Sequence, residues 1–78
     1  MKDYLNELNI LFRDVLENND INLSNESTAL DIDEWDSINH IYIVVEIEKT
    51  FNIKFNSSQI LQWKNVGEII ESIKEKKQ

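Results

Sequence analysis

The side chains able to do chemistry gather between Asp31 and His40, where Asp31, Asp33, Glu34, Asp36, Ser37 and His40 stand close together. Ser37 and His40, three positions apart, suggest a nucleophile and its base. A nucleophilic serine, however, needs an oriented base and an oxyanion hole, and no glycine-rich elbow or strand precedes Ser37 to supply them. The hydrolase reading is rejected. The carboxylates raise calcium instead, but a binding loop opening at Asp31 would need glycine at its sixth position and glutamate at its twelfth, where this chain has Asp36 and Tyr42. Trp35 and Trp63 are read as core aromatics, not as stacking platforms. The chain has no cysteine, so any thiol chemistry must be imported. What remains is one hydroxyl, Ser37, behind an aspartate able to cap a helix.

The elements that must position Ser37 are helical. From Asp3 to Glu17, Leu5, Leu8, Leu11, Phe12, Val15 and Leu16 recur at three- and four-residue spacing, which predicts an amphipathic helix. The polar run from Asn18 to Ser27 competes for backbone hydrogen bonds and favours turns, opening a long loop that reaches Asp36. Ile21, Leu23, Leu30 and Trp35 are expected to pin that loop to the core. A second helix is expected over Ser37–Phe51 with Asp36 as its cap. Asn56 and Gln59 stand in a capping-box relation that opens a short third helix near Ser57–Gln62. Asn65 and Glu68 repeat it before a fourth, which carries Val66, Ile69, Ile70 and Ile73 and ends in Glu75-Lys76-Lys77-Gln78. The fold class is therefore all-α, a small four-helix bundle with a short third helix and a long loop between helices one and two.

On a wheel of about 100° per residue, helix two has two apolar arcs. Ile43, Val44, Ile47 and Phe51 share one, the core face. Ile38, Ile41, Tyr42 and Val45 share the other, with Ser37 between the arcs at the helix start. The second arc is expected to await a partner or a cargo chain.

Length and charge bound the rest. The sequence of 78 residues is read as a single domain, 1–78, too small for a deep enzyme cleft, and not an enzyme. The net charge of −7 is uneven: ten acids and no lysine or arginine lie between Asp14 and Glu48, whereas the remainder holds five acids and eight bases. Nucleic acid is disfavoured as a ligand, and partners with basic patches are favoured. No signal peptide or membrane span is read, so a cytoplasmic location is expected.

Asp36-Ser37-Ile38 at a helix start, behind an acidic loop and before an apolar run closing on Glu46-Ile47-Glu48-Lys49-Thr50-Phe51-Asn52-Ile53, resembles the acyl carrier protein family. The resemblance spans about Leu30 to Ile73 and, weakly, helix one. It implies that Ser37 bears a covalent 4'-phosphopantetheine arm taken from coenzyme A, whose thiol holds acyl or aminoacyl cargo as a thioester. It further implies a monomer served by a phosphopantetheinyl transferase, a loading ligase and downstream transferases or synthases. Asp36 and Glu48 would steer these partners while Ile38, Ile41, Tyr42 and Val45 receive them. Trp35, Asn39, His40, Tyr42 and Lys49 depart from the pattern of fatty-acid-synthesis carriers, which points to a specialised, stand-alone member. The alternative is an unmodified acidic helical module binding a basic protein through helix two.

Overall fold

The computed structural model describes residues 3–77. Helix α1 spans Tyr4–Val15, α2 Ser37–Phe51, α3 Ser57–Gln62 and α4 Val66–Lys77, with a 3₁₀ turn at Ala29–Asp31 and no strand among the described residues. Each helix begins on a side-chain cap, and for α2, α3 and α4 it is the one read from the sequence. Asp3 Oδ1 accepts the Asn6 amide at 3.0 Å, and Asp36 Oδ1 the Asn39 amide at 2.8 Å. Asn56 accepts from Gln59 at 2.9 Å while the Gln59 side chain accepts the Asn56 amide, a complete capping box. Asn65 Oδ1 accepts the Glu68 amide at the start of α4.

The stops are less visible in sequence. Helix α1 ends with Glu17 in the left-handed region, φ 53°, so that the Asn18 amide reaches back to the Arg13 carbonyl. This is the closure in which glycine is usual. Helix α2 ends on Asn52, also left-handed, with φ 57°. The end of α2 gains a further partner in Lys77, whose Nζ donates to the Phe51 carbonyl at 3.1 Å. Lys77, in the last turn of α4, thus serves the negative end of a neighbouring helix. Gln78, placed at the end of helix four by the sequence, lies outside the described residues.

The core forms where the periodicities converge. Leu8 and Phe12 of α1, Ile43 and Ile47 of α2, and Val66, Ile69 and Ile73 of α4 are wholly buried. Each such side chain contributes about 1.5–3 kcal/mol relative to exposure. The long loop is strapped across this bundle by hydrogen bonds. Asn9, a buried polar residue of α1, accepts the Leu23 amide at 2.6 Å and donates to the Leu5 carbonyl. Arg13 Nε donates to the Ile21 carbonyl at 2.7 Å. From the other side, the first amides of α4, Val66 and Gly67, donate to the Ser27 and Asn25 carbonyls at 2.9 and 2.8 Å. Gly67 permits that approach, because a Cβ there would lie 3.1 Å from the Asn25 oxygen.

Ile21, Leu23 and Trp35 pin the loop as expected, but Leu30 does not: it is 96% exposed. The reason is the 3₁₀ turn, in which the Thr28–Asp31 capping box sets the local backbone and turns the central residue outward. Ile32 packs on the core in its place. Because Asn9 is the acceptor for a buried loop amide, Asn9→Ala should cost about 1–3 kcal/mol in urea denaturation. A variant as stable as wild type would mean that water replaces the side chain and that the loop is held by its apolar anchors alone.

Candidate functional site

The site is built around the residue that leads α2. Trp35 is buried edge-on against Phe12, with ring centroids 4.9 Å apart, and so fixes where the loop ends. The next residue, Asp36, is extended and caps the helix, its carboxylate taking the Asn39 amide and its carbonyl the His40 amide. Asn39 returns the tie, donating from Nδ2 to the Glu34 carbonyl at 2.7 Å. Ser37, the first helical residue, is left exposed between these anchored neighbours.

Beside Ser37 lies an open hollow of about 260 Å³, with walls that include Trp35, Asp36, His40, Ile60 and Trp63. His40 is one of its lining residues. It accepts from Trp35 Nε1–H at Nδ1, 2.9 Å, and its ring stacks on Trp35 at 6.0 Å and 25°. The edge of Trp63 meets it from the other side, and Phe55 meets Trp63 in turn. Burial lowers the pKa of His40 below its ordinary 6.5, opposed by a hydrogen bond to the Ile60 backbone. With its Nδ1 committed to Trp35, that nitrogen is not available to take a proton from Ser37.

The second arc of helix two faces solvent. Ile38, Ile41, Tyr42 and Val45 are 66, 62, 58 and 45% exposed, while Ile43, Val44, Ile47 and Phe51 are buried. Asp36 lies at the rim of the hollow, near the arc's start. Glu48 is placed differently from the steering role expected of it: half-buried, it accepts the Phe55 amide at 2.9 Å and holds the connection to α3. One exposed leucine escaped the sequence reading, Leu61, which lies on α3 and lines the hollow. No group of side chains among the described residues could hold a metal ion, and no helix is long and apolar enough to cross a membrane.

The start of α2 suits a phosphate. The Ser37 and Ile38 amides donate to no described acceptor, and they lie at the positive end of the helix dipole. The Asp36 carboxylate is turned onto the Asn39 amide.

Four helices with a short third, and a strapped loop leading to a capped serine, define an acyl-carrier-type fold. The solution NMR structure of the holo acyl carrier protein from Geobacter metallireducens matches it with a TM-score of 0.87 and 36% identity, covering 92% of this chain and 83% of that one. No curated protein is significantly similar to this chain. Residues 7–73 match the family described as the phosphopantetheine attachment site, and the chain belongs to that family. Its cofactor is a covalently attached 4'-phosphopantetheine, and it is a phosphopantetheine carrier. The reading as an unmodified helical module gives way to this one.

Since Asp36 supplies both cap and placement, Asp36→Ala should cost about 0.5–2 kcal/mol and fray the first turn of α2. Amide exchange at Asn39 should rise while that at Ile47 keeps its rank. Unchanged Asn39 protection would show that the cap does not govern this end.

Proposed function

We propose that the arm is attached at Ser37 and that this chain acts as one carrier domain, holding acyl or aminoacyl cargo as a thioester while catalysing no reaction itself. The observation that carries the reading is an exposed serine, leading a capped helix whose first two amides, of Ser37 and Ile38, donate to no acceptor among the described residues. In the transfer, Ser37 Oγ attacks phosphorus in the pyrophosphate of coenzyme A. A P–O bond forms to the serine, the bond to adenosine 3',5'-bisphosphate breaks, and the hydroxyl proton leaves to the transferase. The product is a phosphodiester whose negative charge faces the N-terminus of α2. The arm's thiol supplies the acyl-bearing group that a chain without cysteine lacks.

Partners on this reading are the phosphopantetheinyl transferase, a loading ligase, and downstream transferases or synthases of a specialised biosynthetic pathway. Each would bring a basic rim to the acidic end of the molecule and an apolar spot to Ile38, Ile41, Tyr42 and Val45. The charge of Asp36 is available for such a rim, whereas the bond from Glu48 to the Phe55 amide restricts its share.

Incubation with coenzyme A and a broad-specificity transferase should add one arm by intact mass, and Ser37→Ala should abolish the addition without loss of helicity. An unmodified wild type beside a modified control carrier would overturn the function, and a modified Ala variant would overturn the site. The two faces of α2 should also separate. Ile47→Ala should destabilise by about 2–5 kcal/mol. Val45→Glu should move stability by no more than about 0.5 kcal/mol yet lower kcat/KM for arm transfer at low and high salt alike. Were Val45→Glu to unfold the protein, the outer arc would belong to the core.

A further inference from the structure

The rings that line the hollow beside Ser37 are Trp35, His40 and Trp63. Each of them is held in place. Trp35 is buried in T-shaped contact with Phe12, itself wholly buried, and its Nε1–H donates to His40 Nδ1 at 2.9 Å. His40 stacks on Trp35 and meets Trp63 at 79°. Trp63, at the end of α3, packs on the core and donates from Nε1 to Ser72 Oγ of α4 at 2.8 Å. Phe55, just before α3, stands perpendicular to Trp63 with centroids 4.8 Å apart, and its amide donates to Glu48 of α2 at 2.9 Å. Phe12, Trp35, His40, Trp63 and Phe55 thus form one continuous row of rings, reaching from α1 through the loop and α2 to the two ends of α3.

We infer that this row is a wall that keeps cargo out of the core, so that the carrier bears its acyl group at the surface and suits short or polar acyl and aminoacyl groups, not long hydrocarbon chains. The inference rests on attachment of the arm at Ser37. Ser37 lines the hollow together with the three rings, so a chain carried on that arm and turned inward through the hollow meets them first. Behind them the interior is filled, with Phe12, Ile43, Ile47 and Ile69 wholly buried. An interior packed in this way takes added methylenes only by displacing side chains. Admitting a chain past Trp35 or Trp63 means swinging an indole outward, which separates its N–H from His40 or Ser72 and uncovers ring surface now packed on the core.

The surface around Ser37 favours the same class of cargo. Asp36 and Lys64, opposite in charge, share the lining of the hollow with Ser37, so a polar or charged acyl group meets partners there without entering the core. The outer arc of α2 gives a long chain no better cover. The hollow that Val45 borders is otherwise lined by Glu48, Lys49, Asn52, Ile53 and Lys54, which are mostly charged or polar. A hydrocarbon chain on this carrier therefore stays largely in water, and its recognition falls to the partner enzyme.

The test loads the full chain from acetyl-, butanoyl-, hexanoyl- and octanoyl-coenzyme A with a broad-specificity transferase, checks each product by intact mass, and measures its thermal midpoint. A methylene moved from water into the core would raise the midpoint of a domain of this length by about 3–6 °C. In the wild type the midpoint should instead stay level from acetyl to octanoyl, within about 1 °C, and the amide shifts of Ile47 and Ile69 should not move with chain length. Trp63→Ala removes a ring from the wall, and within its own series the midpoint should climb as the chain lengthens. If that variant does not fold, His40→Ala is expected to show the climb. A midpoint that rises with chain length in the wild type would overturn the wall while leaving attachment at Ser37 intact. A level series in the folded variant would overturn it too, since the rings would then not be what excludes the chain. Failure to load any acyl group, beside a control carrier that loads, is seen in the mass before any melt and overturns the attachment reading, and this inference with it.

Discussion

Everything at the start of α2 depends on the loop before it lying still. A free loop of this length would leave Asp36 to sample many backbone conformations, and an N-cap works only from an extended one. The chain removes that freedom from three sides. Asn9 and Arg13 of α1 bind the loop at Leu23 and Ile21, the first amides of α4 bind it at Asn25 and Ser27, and Trp35 is buried against Phe12. The bonds from α4 serve two purposes, since amides at a helix start otherwise lack partners and loop carbonyls would otherwise need water. Ser37 is therefore mobile only in its side chain, on a backbone fastened immediately before it.

Helix α2 divides its surface between stability and exposure. Its inner arc supplies four buried side chains to a core that is small for want of residues. Its outer arc leaves three aliphatic residues and a tyrosine in water, a stretch that a domain of marginal stability would have used for burial had a layer been available to cover it. The bundle instead keeps α3 short and without a buried side chain, tied at its two ends by the Phe55 amide on Glu48 and the Trp63 indole on Ser72. The wholly buried side chains are consequently concentrated where α1, α2 and α4 meet.

Much of this was legible in the sequence, because helices and caps are local. The bounds of α2 and α3 and the split of α2 into two arcs follow from spacing within a few residues. What escaped depends on distant partners. Leu30 looked like a core anchor by composition, yet the Thr28–Asp31 box decides its direction. Asn9, buried on α1, has a role only once the distant Leu23 amide is brought to it, which no local spacing signals. Lys77 is separated from Phe51 by most of the second half of the chain, and Glu48 meets Phe55 only after the turn at Asn52 reverses direction. The pairing of Trp35 with His40 crosses a helix cap, where the helical period no longer relates one position to another.

That pairing changes what the departures from the family pattern mean. Trp35, Asn39 and His40 read in sequence as separate substitutions pointing toward specialised partners. In the structure they form one internal unit: Trp35 donates to His40, Asn39 donates to the Glu34 carbonyl just before Trp35, and the two rings stack. A tryptophan at position 35 needs an acceptor for its buried N–H, and a histidine one turn into the helix provides it, so each residue accounts for the other. Lys49 is accounted for by an exposed pairing with Glu46 at 3.7 Å, worth about 0.2–0.5 kcal/mol. Tyr42 has no such internal reason. It stands 58% exposed on the outer arc, where a carboxylate would repel an apolar contact and a phenol ring can fill one. Of the departures, then, Trp35 and His40 line the hollow beside Ser37, and Tyr42 is the one left exposed on the outer arc without an internal partner to account for it.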